Sequence, residues 1–174
     1  MTRLLAVLSL SLLAAACQPS AQPATSPAAS QGGARETTAQ DREAVLASIQ
    51  GFMDGLRAGD TTKMSMYVDS VTRFTLLRPA REGGTRAMVL SGTEFIRLVT
   101  RQGQPGIDEP IRNPVVHVSG DLASVWAEYQ VRRGDTVTHC GFDAFHLARR
   151  NGRWMFMNIA DTFQPTGCGA AWPR

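Results

Sequence analysis

From residue 38 onward the apolar positions fall first at helical spacing and then at strand spacing. Val45, Leu46, Ile49, Phe52, Met53 and Leu56 recur on one stripe of a helix, with Thr38 suited to cap its start and Gly59 to end it. A short second helix is predicted over 60–68, with Asp60 as its cap and Met64, Tyr67 and Val68 turned inward. A β-branched and aromatic run over 72–77, the turn-rich RPAREGG and a further run over 85–90 predict two short strands. Ser91-x-x-Glu94 is a capping box and opens a helix carrying Phe95, Ile96, Leu98 and Val99. Beyond it the pattern alternates over 113–118, 123–132, 136–149 and 153–163, and Asn151-Gly152 is a strong hairpin signal between the last two runs. Helices first and an antiparallel meander second predict an α+β domain with its helices on one face of the sheet.

Residues 1–16 follow a different rule. Arg3 precedes the apolar stretch LLAVLSLSLLAAA, 13 residues long, against the roughly 20 that a membrane-spanning helix needs. This is the layout of a secretory signal peptide. LLAAAC resembles the lipobox of bacterial lipoproteins, which implies lipidation of Cys17 and membrane attachment through that lipid. Gln18, where such lipoproteins use Asp for inner-membrane retention, implies the periplasmic side of the outer membrane. Ala14-x-Ala16 also suits ordinary signal peptidase, leaving a soluble periplasmic or secreted protein as the alternative. Residues 18–34 carry no charge and almost no β-branched or aromatic residue, so a disordered tether is expected over 17–37. The domain is expected over 38–168 and a tail over 169–174.

Composition narrows the function. A chain of 174 residues suits a single domain. Its 18 basic residues are scattered among 15 acidic ones for a net charge of +3, which gives no support for a nucleic-acid partner. With Cys17 lipidated, Cys140 and Cys168 remain, and an oxidising compartment favours a disulfide between them; two free thiols, with Cys140 buried, are the alternative. His139 and Cys140 are adjacent on a strand and point to opposite faces, so they cannot share an ion, and no metal site or cofactor is expected. There is no Gly-x-Ser-x-Gly elbow and no phosphate-binding glycine loop. Arg73, Arg78, Arg81 and Arg86, with Glu82 among them, read as a solvated face, with an anionic ligand as the alternative.

The element order, together with DLASVWAEYQ, THCGFDAFHLARRNGRWMFMNIADT and the closing TGC, resembles the NTF2-like superfamily in its SnoaL-like or lumazine-binding branch, over about residues 40–168. The resemblance implies a cone of helices packed on a curved sheet. That superfamily holds dehydratases, isomerases, cyclases, binding modules and dimerising scaffolds, so the resemblance speaks to fold more than to activity.

Hairpin geometry gives an expected register. Pairing across Asn151-Gly152, and across a hairpin with Gly134 at its tip, puts Glu128 opposite His139 and Ser124 opposite Asp143. One face then carries Trp126, Glu128, His139, Asp143 and Asn158, the expected ligand-binding set. The other carries Tyr129, His146 and Asp161, a rival set that a one-residue slip would bring in. The resulting expectation is an envelope-anchored homodimer that binds a small, partly apolar molecule or an envelope partner. An enzyme of the dehydratase or isomerase kind, with Asp143 as base and His139 or Tyr129 polarising a carbonyl, is one alternative. A protein-docking scaffold is another.

Overall fold

A computed structural model describes residues 38–101 and 106–173. The expected signal peptide, lipidated Cys17 and tether lie outside the described residues. Helix α1 spans Ala39–Ala58. Thr38 caps it by accepting from the Asp41 N–H, and the Asp41 carboxylate accepts in return from the Thr38 backbone. Gly59, in the left-handed region, ends it. Val45, Ile49, Phe52 and Leu56 are buried, as their spacing predicts. Helix α2 covers only Thr61–Ser65, shorter than expected, with Asp60 as cap. Strands β1 (Arg73–Pro79) and β2 (Thr85–Ser91) follow, and the Ser91–Glu94 capping box opens α3 (Gly92–Val99).

The remaining strands are β3 (Ile111–Ser119), β4 (Leu122–Arg133), β5 (Thr136–Arg150) and β6 (Arg153–Asp161). All join one six-stranded sheet in the order β2-β1-β6-β5-β4-β3. Every neighbouring pair is antiparallel except β1 with β6, which run parallel. The parallel contact needs the whole meander as its crossover, which brings β1 and β2 to the far edge and folds the helices over one face. No described helix is long and apolar enough to cross a membrane.

Two bulges correct the expected register. The β4–β5 turn lies at Gly134-Asp135, a shift that changes partners but not faces. Then Val131 pairs with His139 while Arg132 pairs with Val137, so Thr138 is an extra residue. Its hydroxyl donates to the Val131 carbonyl at 3.2 Å. From that point β4 and β5 exchange faces relative to expectation: Glu128 lies opposite Phe142, Ser124 opposite His146, and Asp143 opposite Ala127. Between β5 and β6 the Asn151-Gly152 turn forms as predicted, both residues at positive φ. Beyond it Met157 is an extra residue, so Asp143 pairs with Asp161.

The inner sheet face therefore mixes the two expected sets. Ala123, Val125, Ala127 and Tyr129 join Phe145, Leu147, Phe156 and Ile159 beneath the helices, all buried. Phe156 meets Phe52 edge-on at 5.2 Å between ring centroids. Asp41, at the start of α1, pairs with Arg149 of β5 and fastens helix to sheet. That bond, with the Thr38 backbone, holds the Asp41 carboxyl down at about 2.

On the outer face Cys140 and Cys168 form a disulfide, with 5.6 Å between their Cα atoms. The tail it pins is clamped by the buried Gln130, whose amide donates to the Cys168 and Ala170 carbonyls at 2.7 and 3.0 Å and accepts from the Trp172 N–H at 3.0 Å. Replacing Phe156 by Ala removes the ring that joins α1 to the sheet and is expected to cost about 3–5 kcal/mol of unfolding free energy, read from urea denaturation. A loss below about 1 kcal/mol would show that the helix is not seated on this residue.

Candidate functional site

The helices do not fill the space they cover. Between α1, α3 and the inner sheet face lies a cavity of about 440 Å³. Its wall is apolar where Phe52 and Leu56 of α1, Phe74 and Leu76 of β1, and Phe95 of α3 meet. Phe74 and Phe95 stack at 3.8 Å. The polar groups gather at the sheet: Asp143, Asp161, His139, Arg78 and Glu109 all line it. A few polar groups set among aromatic rings in a cavity of this size is the composition of a small-molecule site.

The polar groups divide into a closed pair and an open one. Arg78 grips Asp161 with two bonds, Nη1 to Oδ1 and Nη2 to Oδ2, each 2.7 Å. Asp161 Oδ1 also accepts from the Leu77 N–H at 3.0 Å. Asp143 is only 2% exposed, and its Oδ2 atom has no hydrogen-bond partner. Among the described residues no hydrogen bond or ion pair reaches the Glu109 carboxyl either. Burial pushes the Asp143 carboxyl well above the usual aspartate range, and the neighbouring Glu109 and Asp161 push the same way. Burial, with Asp161 adding to it, raises Glu109 to about 8. Burial and then the Arg78 charge lower the His139 imidazole, which favours its neutral form.

His139 is held by its neighbours. Its Nδ1 lies 3.0 Å from the Thr138 hydroxyl, and its ring sits 4.7 Å from that of Phe163. Tyr129 packs edge-on to it at 5.9 Å but is committed elsewhere, its hydroxyl donating to the Thr162 carbonyl at 2.6 Å. That crossing strand-end comes so close that a Cβ on Gly141 would lie 2.5 Å from the Thr162 carbonyl oxygen, which explains a glycine in mid-strand. The phenol is therefore not free to polarise a ligand carbonyl, contrary to one expectation.

Of the expected ligand-binding residues, His139 and Asp143 line the cavity, whereas Trp126, Glu128 and Asn158 do not. The Thr138 bulge sends the β4 residues away. Trp126 is 49% exposed on the outer face, stacked on Phe142 at 5.3 Å. Glu128 binds Arg112 and Asn113 of β3 at 2.8 and 2.9 Å, and those bonds lower its carboxyl. The Met157 bulge moves Asn158 outward, where its Oδ1 accepts from the Thr75 hydroxyl at 3.3 Å. The rival set splits too: Asp161 lines the cavity and His146 is exposed outside it. Arg78, read as part of a solvated face, is instead the partner of a buried carboxylate. Glu109 went unremarked, since a Glu in a turn-rich loop before a strand carries no sequence signal of burial. Among the described residues no group of three or more His, Cys, Asp or Glu could hold a metal ion.

A six-stranded curved sheet, an N-terminal helix packed across it and a cavity beneath constitute the NTF2-like α+β cone. No protein-family model matches the chain, and no curated protein matches it. Similarity lies with solved structures. A protein of unknown function with a cystatin-like fold from Nostoc punctiforme superposes with a TM-score of 0.61 and 16% identity, over 75% of this chain and 96% of that one. An NTF2-like protein of unknown function from Shewanella baltica gives 0.56 and 16% identity, over 75% of this chain and 100% of that one. The association domain of C. elegans CaMKII gives 0.55 and 18% identity, over 71% and 95%. At such identities the likeness shows the fold alone.

The two raised carboxyls make stability depend on pH. Each keeps in the native state a proton that the unfolded chain releases above about pH 4, so their contribution is intact below that pH and drains away as pH rises through the native values. Asp143→Asn, a neutral isostere, is expected to flatten the fall between pH 5 and 8 and to exceed the parent at pH 8 by about 1 kcal/mol or more. Urea denaturation across that range checks it. Parallel curves for the two proteins would show that Asp143 is ionised and satisfied.

Proposed function

We propose that the chain is an exported, lipid-anchored protein whose NTF2-like domain holds a small, partly apolar molecule in the cavity between α1, α3 and the sheet. The observation that carries this reading is the cavity itself, about 440 Å³, aromatic along one wall and ending in a buried carboxyl without a partner. A domain serving only as a docking scaffold has no use for that space, since an unfilled interior costs stability. An unsatisfied polar group inside it costs more. A ligand offsets both.

The anchored half of the proposal rests on the signal-like segment, Cys17 and the polar stretch behind it. The disulfide between Cys140 and Cys168 is consistent with an oxidising compartment. Self-association through the outer sheet face is part of the same reading. Trp126, Phe142 and Met157, 49%, 38% and 40% exposed, make an apolar surface there. The similar fold of an association domain supports it.

One observation favours a second, catalytic reading. Asp143, with its proton affinity raised, and His139, favoured neutral, line the same cavity. A dehydratase or isomerase could use such a pair, with the protonated Asp143 as acid and the neutral His139 as base, the reverse of the roles expected from the sequence.

Two measurements test the proposal. A neutral apolar fluorophore should bind the exported, purified protein and be excluded by Val99→Trp, which fills the cavity from α3, with an affinity loss of about tenfold or more. Equal binding to both proteins would place the fluorophore elsewhere and sink the cavity reading. In a bacterial host, Cys17→Ser should move the protein from the membrane fraction to the soluble one; unchanged fractionation would refute the lipid anchor.

A further inference from the structure

We infer that the molecule bound in this cavity carries a protonated amine on an apolar body, with the ammonium seated between Asp143 and Glu109. This rests on the cavity reading above and names the ligand's chemistry. The argument starts from what each polar group still lacks. Arg78 and Asp161 satisfy one another through both oxygens, and Arg78 Nη1 also donates to the Leu77 carbonyl at 2.8 Å. The Tyr129 hydroxyl is spent on Thr162. His139 Nδ1 is engaged with Thr138. What remains is Asp143, 2% exposed, with an unpartnered Oδ2, and Glu109 beside it on the cavity wall. Arg101 and Arg133 also line the cavity, but both are solvent-exposed.

Three ligand chemistries can be compared at this pair of carboxyls. An anion could accept from the neutral carboxyls but would meet no uncompensated positive charge beside them, because Arg78 is already neutralised by Asp161. A carbonyl or hydroxyl oxygen could accept from both carboxyls through its two lone pairs, but it would form no ion pair and gain nothing from the aromatic faces. An ammonium offers three donors and no acceptor, so it can serve both carboxyls at once. The remaining wall suits it too. Phe52, Phe74 and Phe95 present aromatic rings, whose faces attract a cation when water is excluded.

The proton balance is definite. A carboxyl that is neutral in the empty cavity ionises when the ammonium arrives: the O–H bond of Asp143 breaks, its proton passes to the solvent, and an ammonium–carboxylate pair remains. Charge inside the cavity is thereby unchanged. Glu109, Asp161, Arg78 and His139 are the other titratable or charged groups close to this step, and binding is expected to release about one proton near neutral pH.

The test uses three probes with one skeleton, 4-phenylbutylamine, 4-phenylbutan-1-ol and 4-phenylbutanoate, titrated calorimetrically into the full exported protein at pH 7 in two buffers of different ionisation enthalpy. The amine is expected to bind about tenfold or more tightly than the alcohol, with proton release, and the carboxylate weakest of all. In Asp143→Asn, checked for folding by circular dichroism, the ratio of amine to alcohol affinity should collapse to within about twofold, and proton release should vanish. An alcohol that matches the amine, or a variant that keeps the amine preference, overturns the inference. Uptake of a neutral apolar fluorophore without amine preference defeats this inference alone; no uptake of any probe defeats the cavity reading with it.

Discussion

Strand register in the long β4–β5–β6 meander is the constraint on which the site depends. A strand alternates faces at every residue, so a single inserted residue exchanges everything beyond it. Thr138 and Met157 are two such insertions. The first puts Tyr129 and Val131 on the same side as Asp143 and sends Trp126 and Glu128 outward; the second brings Asp161 across from Asp143 and moves Asn158 away. Each bulge is chemically compensated. The Thr138 hydroxyl donates to the Val131 carbonyl, and near Met157 the Phe156 N–H and C=O are taken up by Tyr67 and Thr72.

Register places Asp143 in the cavity and the loop before β3 adds Glu109, and the rest of the fold has to hold both there. Burial of Asp143 and Glu109 opposes folding at neutral pH, and the protein offsets it at a distance. The phenylalanine cluster seats α1, the Asp41–Arg149 pair fastens that helix to the sheet, and the disulfide with Gln130 binds the tail across the outer face. Arg132 extends this bracing: it donates to the Trp172 carbonyl and to Asp108 at 2.6 Å, and Asp108 adjoins Glu109 in the chain. The tail thus helps to fix the loop that supplies one cavity carboxyl. Strong bracing around a costly, unsatisfied site is the arrangement expected when a ligand completes it.

The sequence was a good guide to elements and a poor one to faces. Helix α1 with both its caps, the Ser91–Glu94 box, the Asn151-Gly152 turn and the Cys140–Cys168 pair could all be read because each rests on local chemistry or on simple counting. The parallel contact between β1 and β6 could not, since nothing local in 72–77 names a partner some 85 residues away. The bulges were equally hidden: neither Thr138 nor Met157 is a glycine at positive φ, so neither carries a mark of its own. His139 and Asp143 reached the cavity because they share strand β5 on one side of the site. Trp126 and Glu128 did not, because they were assigned across the bulge.

The central claim is that register and burial hold Asp143 as a neutral carboxyl in the cavity beneath the helices. It is tested most directly by following the side-chain carboxyl carbon of Asp143 by ¹³C NMR as pH is raised, with Asp143→Asn to assign the resonance. The account predicts a midpoint well above that of an ordinary aspartate, with Glu109 titrating at about 8. A midpoint near about 4, the value of a solvated aspartate, would contradict it.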